Sequence, residues 1–404
     1  MFTKSKPYKE ILLPLLLGLL LCSMGIFTLI KRFQYIELNA SDLYNDYSAS
    51  KLLLSHQSIY SDLLNPNNHP PFVALLTIPL TLLPYRSACI LWSILTIFLY
   101  FISGWLIYKE LQLRIPKVFL LVLIGFALNW YPFQAHIALG QWSIQIGFCI
   151  ILGWIFLRHQ KDYVAGLLFG IACLIKLFPG LIILYLLFSK RWKALFTMFL
   201  TIVFGFIIAA FIIGPNDIIL YFNSIVSRNS NDFMAFPINN SIIGILGKFF
   251  YTGGWVQPIF ISPIPISFIA IILDIGLVIF LLGFLYRRST NQYQWDIKFA
   301  MTIIVMVFVS PISWQHMLPM LMLPFGLIIL RNQNKIFKYQ YSLSLLALIL
   351  FSLPDIQLAN VLMDIFSPNR IPWYAAISLL SSDCGLVIIW ILLYTLSKQE
   401  LIPE

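Results

Sequence analysis

Two aspartates four residues apart, Asp42 and Asp46 in the stretch SDLYNDYSASKLLL, follow a run of almost pure hydrocarbon. Ser41 or Asp42 can cap a helix there, and the spacing then sets both carboxylates on one helical face. An exposed carboxylate is ionised at neutral pH, so either acid can take a proton from a hydroxyl group held within hydrogen-bond reach. A capped, solvated surface helix accounts for the same spacing, so the acids need partners before they mean chemistry.

The second candidate is Lys176, inside the apolar stretch YVAGLLFGIACLIKLFPGLIILYLLF. A lysine at membrane depth is expensive and is by default a functional candidate, with snorkelling to an interface as the bland alternative. Close to a helix break it offers a point charge for a phosphate group. His316 in SPISWQHMLPML opens an apolar segment just after Trp314, and His69 in NPNNHPPF precedes two prolines that force an extended turn. His56, His136 and His159 carry less signal. Gln141 in ALGQWSIQ and Asn239 and Asn240 in FPINNSIIG are hydrogen-bonding amides where loops meet the membrane. With the ring faces of Tyr47 and Trp314 they form the usual inventory of a sugar-binding cleft, although amides also cap helices.

These residues must be positioned by membrane helices. The chain has 404 residues, 60% hydrophobic and 10% charged, whereas a soluble domain is about 25% charged. An all-α, polytopic integral membrane protein follows. Its formal +10 sits mainly in short gaps between apolar segments, where positive charge sets topology, so it carries no argument for nucleic acid. The five cysteines lie at wide spacing in or beside apolar segments, and no metal or disulfide framework is expected.

Spans are expected at about 11–30, 87–108, 118–135, 141–157, 194–214, 263–286, 297–309, 316–330, 341–353 and 374–396. The first looks like a signal peptide but is too long and lacks a small-residue cleavage site, so a retained span is expected. The stretch 163–188 has basic residues on both flanks, which a single crossing cannot satisfy. Breaking it at Pro179 and Gly180 gives a re-entrant pair, about twelve helices in all, with both termini cytoplasmic. The segments 33–86 and 215–262 are then long, base-poor and extracytoplasmic, and the first carries the candidate base. One integral membrane domain over 1–404 is the economical reading.

The order of these motifs resembles glycosyltransferase family 87, integral membrane enzymes of the C-type glycosyltransferase fold. The resemblance runs from SDLYNDYSASKLLL through HPPFVALLTIPLTLLP, LGQWSIQ, AGLLFGIACLIKLFPGLIILYLLFSKRWKA and NNSIIGILG to SPISWQHMLPML. It implies an inverting transferase in the cell (inner) membrane that moves a sugar, most commonly mannose, from a polyprenyl-phosphate carrier to a glycolipid or glycan acceptor on the extracytoplasmic face. It implies that Asp42 is the base, with Asp46 second where the family usually has tyrosine, and that Lys176 and His316 hold the donor phosphate. Gln141 matches the family's Gly-Gln, while Ser143 and Gln315 depart from its usual residues. The family chemistry needs one base, because a lipid phosphate is already a good leaving group. No ATP, NAD or zinc motif occurs, so no cofactor is expected, and two aspartates are too few for a divalent metal site. A transporter or flippase of a lipid-linked substrate is the alternative, since broken helices and a buried lysine are also transporter features.

Overall fold

A computed structural model describes residues 8–62, 67–334, 338–367 and 369–398. The protein is a multi-pass helical membrane protein. Its sheet, among the described residues, is a two-residue parallel bridge between Val256–Gln257 and Ile371–Pro372. Among the described residues, five helices are long and apolar enough to cross a bilayer, and up to seven if each of two bent pairs counts as one span. Those pairs are Lys117–Asn129 with Tyr131–Leu139, bent by 45°, and Tyr339–Ser352 with Asp355–Phe366, bent by 55°.

The ten segments expected as spans all form helices among the described residues, several of them short. The apolar segments at 141–157, 297–309 and 316–330 fold as the short helix Ser143–Arg158, the interior helix Gln292–Val309, and a 3-10 turn, Gln315–Leu321, running into Met322–Asn334. Hydropathy cannot separate a lipid-facing helix from one enclosed by protein. Gln292–Val309 is buried at every residue from Asp296 to Phe308, and the charges near its start are paired. Asp296 accepts from Trp154 Nε1 at 2.8 Å and Arg158 Nη1 at 3.0 Å, and Lys298 donates to the carbonyls of Leu285 and Arg287.

The stretch 163–188 does turn back on itself. Arg191, after its second arm, meets Asp162, at the start of its first, at 3.1 Å, so both flanks lie at one end of the bundle. Arg158 is at that end too, bound to Glu110 at 2.9 Å. The break falls earlier than Pro179. Helix Asp162–Ile175 stops at Lys176, which is extended at φ −147°, ψ 144°, and the chain restarts as the 3-10 turn Phe178–Leu181. A proline ring clashes with the carbonyl four residues back, while proline is tolerated in a first turn. Pro179 therefore ends the helix at Ile175 and begins the next element.

Helix Tyr8–Gln34 packs along Lys117–Asn129 through glycines. A Cβ on Gly125 would lie 2.6 Å from Leu21 Cβ and 2.9 Å from the Cys22 backbone nitrogen, and Asn129 Nδ2 donates to the Leu21 carbonyl at 2.7 Å. Small residues permit this approach, which in lipid is driven by packing and interhelical hydrogen bonds. Gly125→Leu is expected to cost about 1–3 kcal/mol by overpacking, read as a lower thermal midpoint of the protein in nanodiscs. A midpoint equal to that of wild type would mean that the contact is dispensable.

Candidate active site

Three segments distant in sequence build one cavity of about 680 Å³. Helix Ser41–Leu54 supplies Asp42, the turn before Ser143–Arg158 supplies Gln141, and the break after Ile175 supplies Lys176. His69, Trp314 and His316 complete its polar and aromatic wall, and Leu177, Phe178, Leu181, Val309 and Ile312 line an apolar side.

Gln141 joins the two charges. Its Nε2 donates to Asp42 Oδ2, and its Oε1 accepts from Lys176 Nζ at 3.1 Å. The turn that presents it depends on Gly140, at φ +70°. There a Cβ would be strained and would also meet Leu43 Cβ at 2.6 Å. The backbone nitrogens of Gly140 and Gln141 both donate to the His136 carbonyl, closing the turn.

Asp42 and Asp46 share a helix but not an environment. Neither Ser41 nor Asp42 caps the helix: Ala40 is the N-cap residue, without a side-chain hydrogen bond, and Asp42 is turned to Gln141 instead. Asp46 is 1% exposed and lies behind the cavity wall. Its Oδ1 meets His69 Nδ1 at 2.7 Å and its Oδ2 accepts from Trp142 Nε1 at 2.8 Å. Burial pushes the Asp42 carboxyl above its usual 3.8, and His69, the Gln141 hydrogen bond and Lys176 pull it back.

The other expected site residues divide. His316 and Trp314 line the cavity with near-parallel rings 6.4 Å apart, and His316 Nε2 is buried without a hydrogen-bond partner among the described residues. Tyr47, Asn239 and Asn240 do not line it. The Tyr47 hydroxyl donates to the Leu83 carbonyl at 2.8 Å. Asn239 donates to the carbonyls of Phe233 and Pro311 and accepts from the backbone nitrogens of Ser241 and Ser313. Asn240 is 1% exposed, its amide directed at Asp355. Both asparagines tie the segment 233–241 to the turn 311–313. Gln315 is similarly consumed, donating to Phe351 O and Leu353 O at the bend between two helices.

His136 carried little signal in sequence. Its ring is fully buried behind the cavity, 6.4 Å from that of His316, with neither nitrogen in hydrogen-bonding geometry with a described residue. Its place one turn before the Gly-Gln pair is the clue available without a structure.

The family model Glycosyltransferase family 87 matches residues 68–311, more than half of the chain. The chain belongs to glycosyltransferase family 87. No curated protein matches it. The match contains His69, Gln141 and Lys176, while Asp42 precedes it and Trp314 and His316 follow it.

This family 87 glycosyltransferase therefore holds one carboxylate at its cavity and a second fixed in its frame. Asp46→Ala leaves two buried donors unpaired at about 1–3 kcal/mol each, and is expected to lower the thermal midpoint. Asp42 behaves oppositely. A carboxyl whose folded pKa is raised adds stability at pH below its unfolded pKa and loses it as pH rises through the folded pKa. Asp42→Asn should then keep or raise the neutral-pH midpoint, and a midpoint lowered as far as that of Asp46→Ala would refute the division.

Proposed function

We propose that this glycosyltransferase uses Asp42 as general base to transfer a sugar, mannose being the first to test, from a polyprenyl-phosphate carrier to a hydroxyl of a glycolipid or glycan acceptor. The observation that carries the reading is the Asp42–Gln141–Lys176 chain in one cavity. It gives a proton acceptor and a cation at opposite ends of a single amide.

In the reaction, the acceptor oxygen attacks the anomeric carbon while its proton passes to Asp42. The bond from that carbon to the phosphate oxygen breaks with its electron pair. The resulting negative charge is met by Lys176, a donor already oriented where charge develops, with His316 beside it on the wall. Inversion follows from a single displacement. Two free carboxylates would be the mark of the retaining route, and both oxygens of Asp46 are engaged.

The lipid nature of the donor is supported by the wall next to Lys176. Leu177 lines the cavity and is 40% exposed, and with Phe178, Leu181 and Val309 it forms an apolar wall beside the lysine that a prenyl tail can follow. Chain polarity supports an extracytoplasmic site in the inner membrane with cytoplasmic termini. Asp42 and His69 come from the base-poor segment 33–86, and Arg158 and Arg191 lie where both flanks of the re-entrant pair meet.

The test is transfer from a panel of radiolabelled polyprenyl-phosphate sugars into membrane glycolipids. Asp42→Asn is expected to abolish product with one donor, whereas Lys176→Met should raise the KM for that donor. The acid limb of kcat/KM should have its midpoint above 3.8, since burial raises the carboxyl and the ionised form is the base. If Asp42→Asn retains full transfer, the assignment fails. If no donor is consumed but a labelled lipid-linked sugar crosses the bilayer, the protein is a flippase instead.

A further inference from the structure

The side of the cavity around Asp42 carries hydrogen-bonding groups that the proposed displacement does not use. His69 is the most constrained of them. Its Nδ1 is tied to Asp46 Oδ1 at 2.7 Å, and Asp46 is itself fixed by Trp142. A carboxylate only accepts, so Nδ1 carries a ring hydrogen and Nε2 is the nitrogen left for the cavity, an acceptor in the imidazole form of the ring. His69 lines the cavity, and Nε2 makes no hydrogen bond with a described residue. The backbone is held as firmly: the His69 carbonyl accepts from Tyr60 Oη at 2.9 Å, and its nitrogen donates to Asn67 Oδ1 at 3.0 Å.

Asn45 lies three residues after Asp42 on the same helix face, lines the same cavity and spends its carboxamide on no described residue. Next to His69 on the cavity wall stands Asn229, on helix Val226–Phe233. Its Nδ2 donates to the Asn68 carbonyl at 3.1 Å, and Arg228 Nη2 holds the Asn68 side chain at 3.1 Å, so this wall is anchored too. A fixed acceptor and a free amide thus flank the candidate base.

We propose that His69 Nε2 and Asn45 form a polyol subsite that grips hydroxyls of the acceptor next to the one facing Asp42, so the acceptor group is a carbohydrate ring or similar polyol and not a lone alcohol. The proposal rests on the transferase reading only for the word acceptor, because the subsite itself is a binding claim. Asp46 is then a positioning residue: it selects the His69 tautomer and does not touch the ligand. Buried polar groups aimed at a hydroxyl discriminate strongly against ligands that lack it.

The experiment measures binding of octyl mannoside, octyl glucoside, octyl galactoside and 1-octanol to the full chain in lipid nanodiscs by calorimetry, with no donor present. Wild type is expected to bind at least one glycoside while 1-octanol binds only to the lipid. His69→Ala and Asn45→Ala should each weaken that glycoside by roughly tenfold, the worth of one good hydrogen bond. Asp46→Asn should weaken it as His69→Ala does, because its amide donates to Nδ1 and drives the ring hydrogen to Nε2. His69→Gln should restore part of the affinity, since a carboxamide oxygen can take over from Nε2.

Equal binding of the glycosides by wild type, His69→Ala and Asn45→Ala would overturn the subsite, as would saturable binding of 1-octanol with the same affinity. Transfer assays separate the two ideas. Asp42-dependent transfer without His69-dependent glycoside binding sinks the subsite alone. His69-dependent binding in a protein that transfers nothing upholds the subsite and sinks the proposed reaction.

Discussion

Everything in the candidate site depends on one helix that fails to continue. Pro179 cannot be accommodated four residues beyond the Ile175 carbonyl, so the chain leaves the helix at Lys176 and turns back. Lys176 is thereby at the apex of a re-entrant pair, and the Asp162–Arg191 ion pair holds the two arms' far ends together. An irregular stretch among membrane helices is tolerated where it is enclosed by protein or lines a cavity. Here it does the second, and the freed lysine finds Gln141 instead of lipid.

That constraint explains which features were legible in the sequence. The lysine, the proline and the basic flanks are local, and they indicated a re-entrant pair directly. The three-residue error in the break came from reading proline as the end of a helix when it also starts the next turn. Which helices are enclosed by protein was beyond reach for a different reason. Residues 297–309 read as a plain apolar run, and only the surrounding helices reveal that they are interior.

The site divides along the same line. Asp42, Lys176 and Gln141 were nameable from residue type and position, but spacing alone could not rank Asp42 over Asp46. What separates them is His69, twenty-three residues on, and Trp142, ninety-six residues on. Both contacts are tertiary. Asn239 and Asn240 had the composition of a sugar ligand, yet Asn239's amide is used up by the backbone of 233–241 and 311–313. A loop that packs against another must satisfy its own buried backbone first, and asparagine is the residue that serves either purpose.

Gln141 also solves an electrostatic problem. A direct contact between Asp42 and Lys176 would be a buried ion pair, each charge spending its attraction on the other, and desolvation would offset much of the gain. An intervening amide satisfies both charges with neutral dipoles. Only one amide orientation does so, Nε2 to the carboxylate and Oε1 to the ammonium, so the two contacts fix each other. The carboxylate stays separated from the cation, and in the proposed reaction each exchanges its amide contact for the substrate, Asp42 for a hydroxyl and Lys176 for a phosphate oxygen. A lysine-to-carboxylate bond would have to be broken before either could act, whereas the glutamine only has to rotate away.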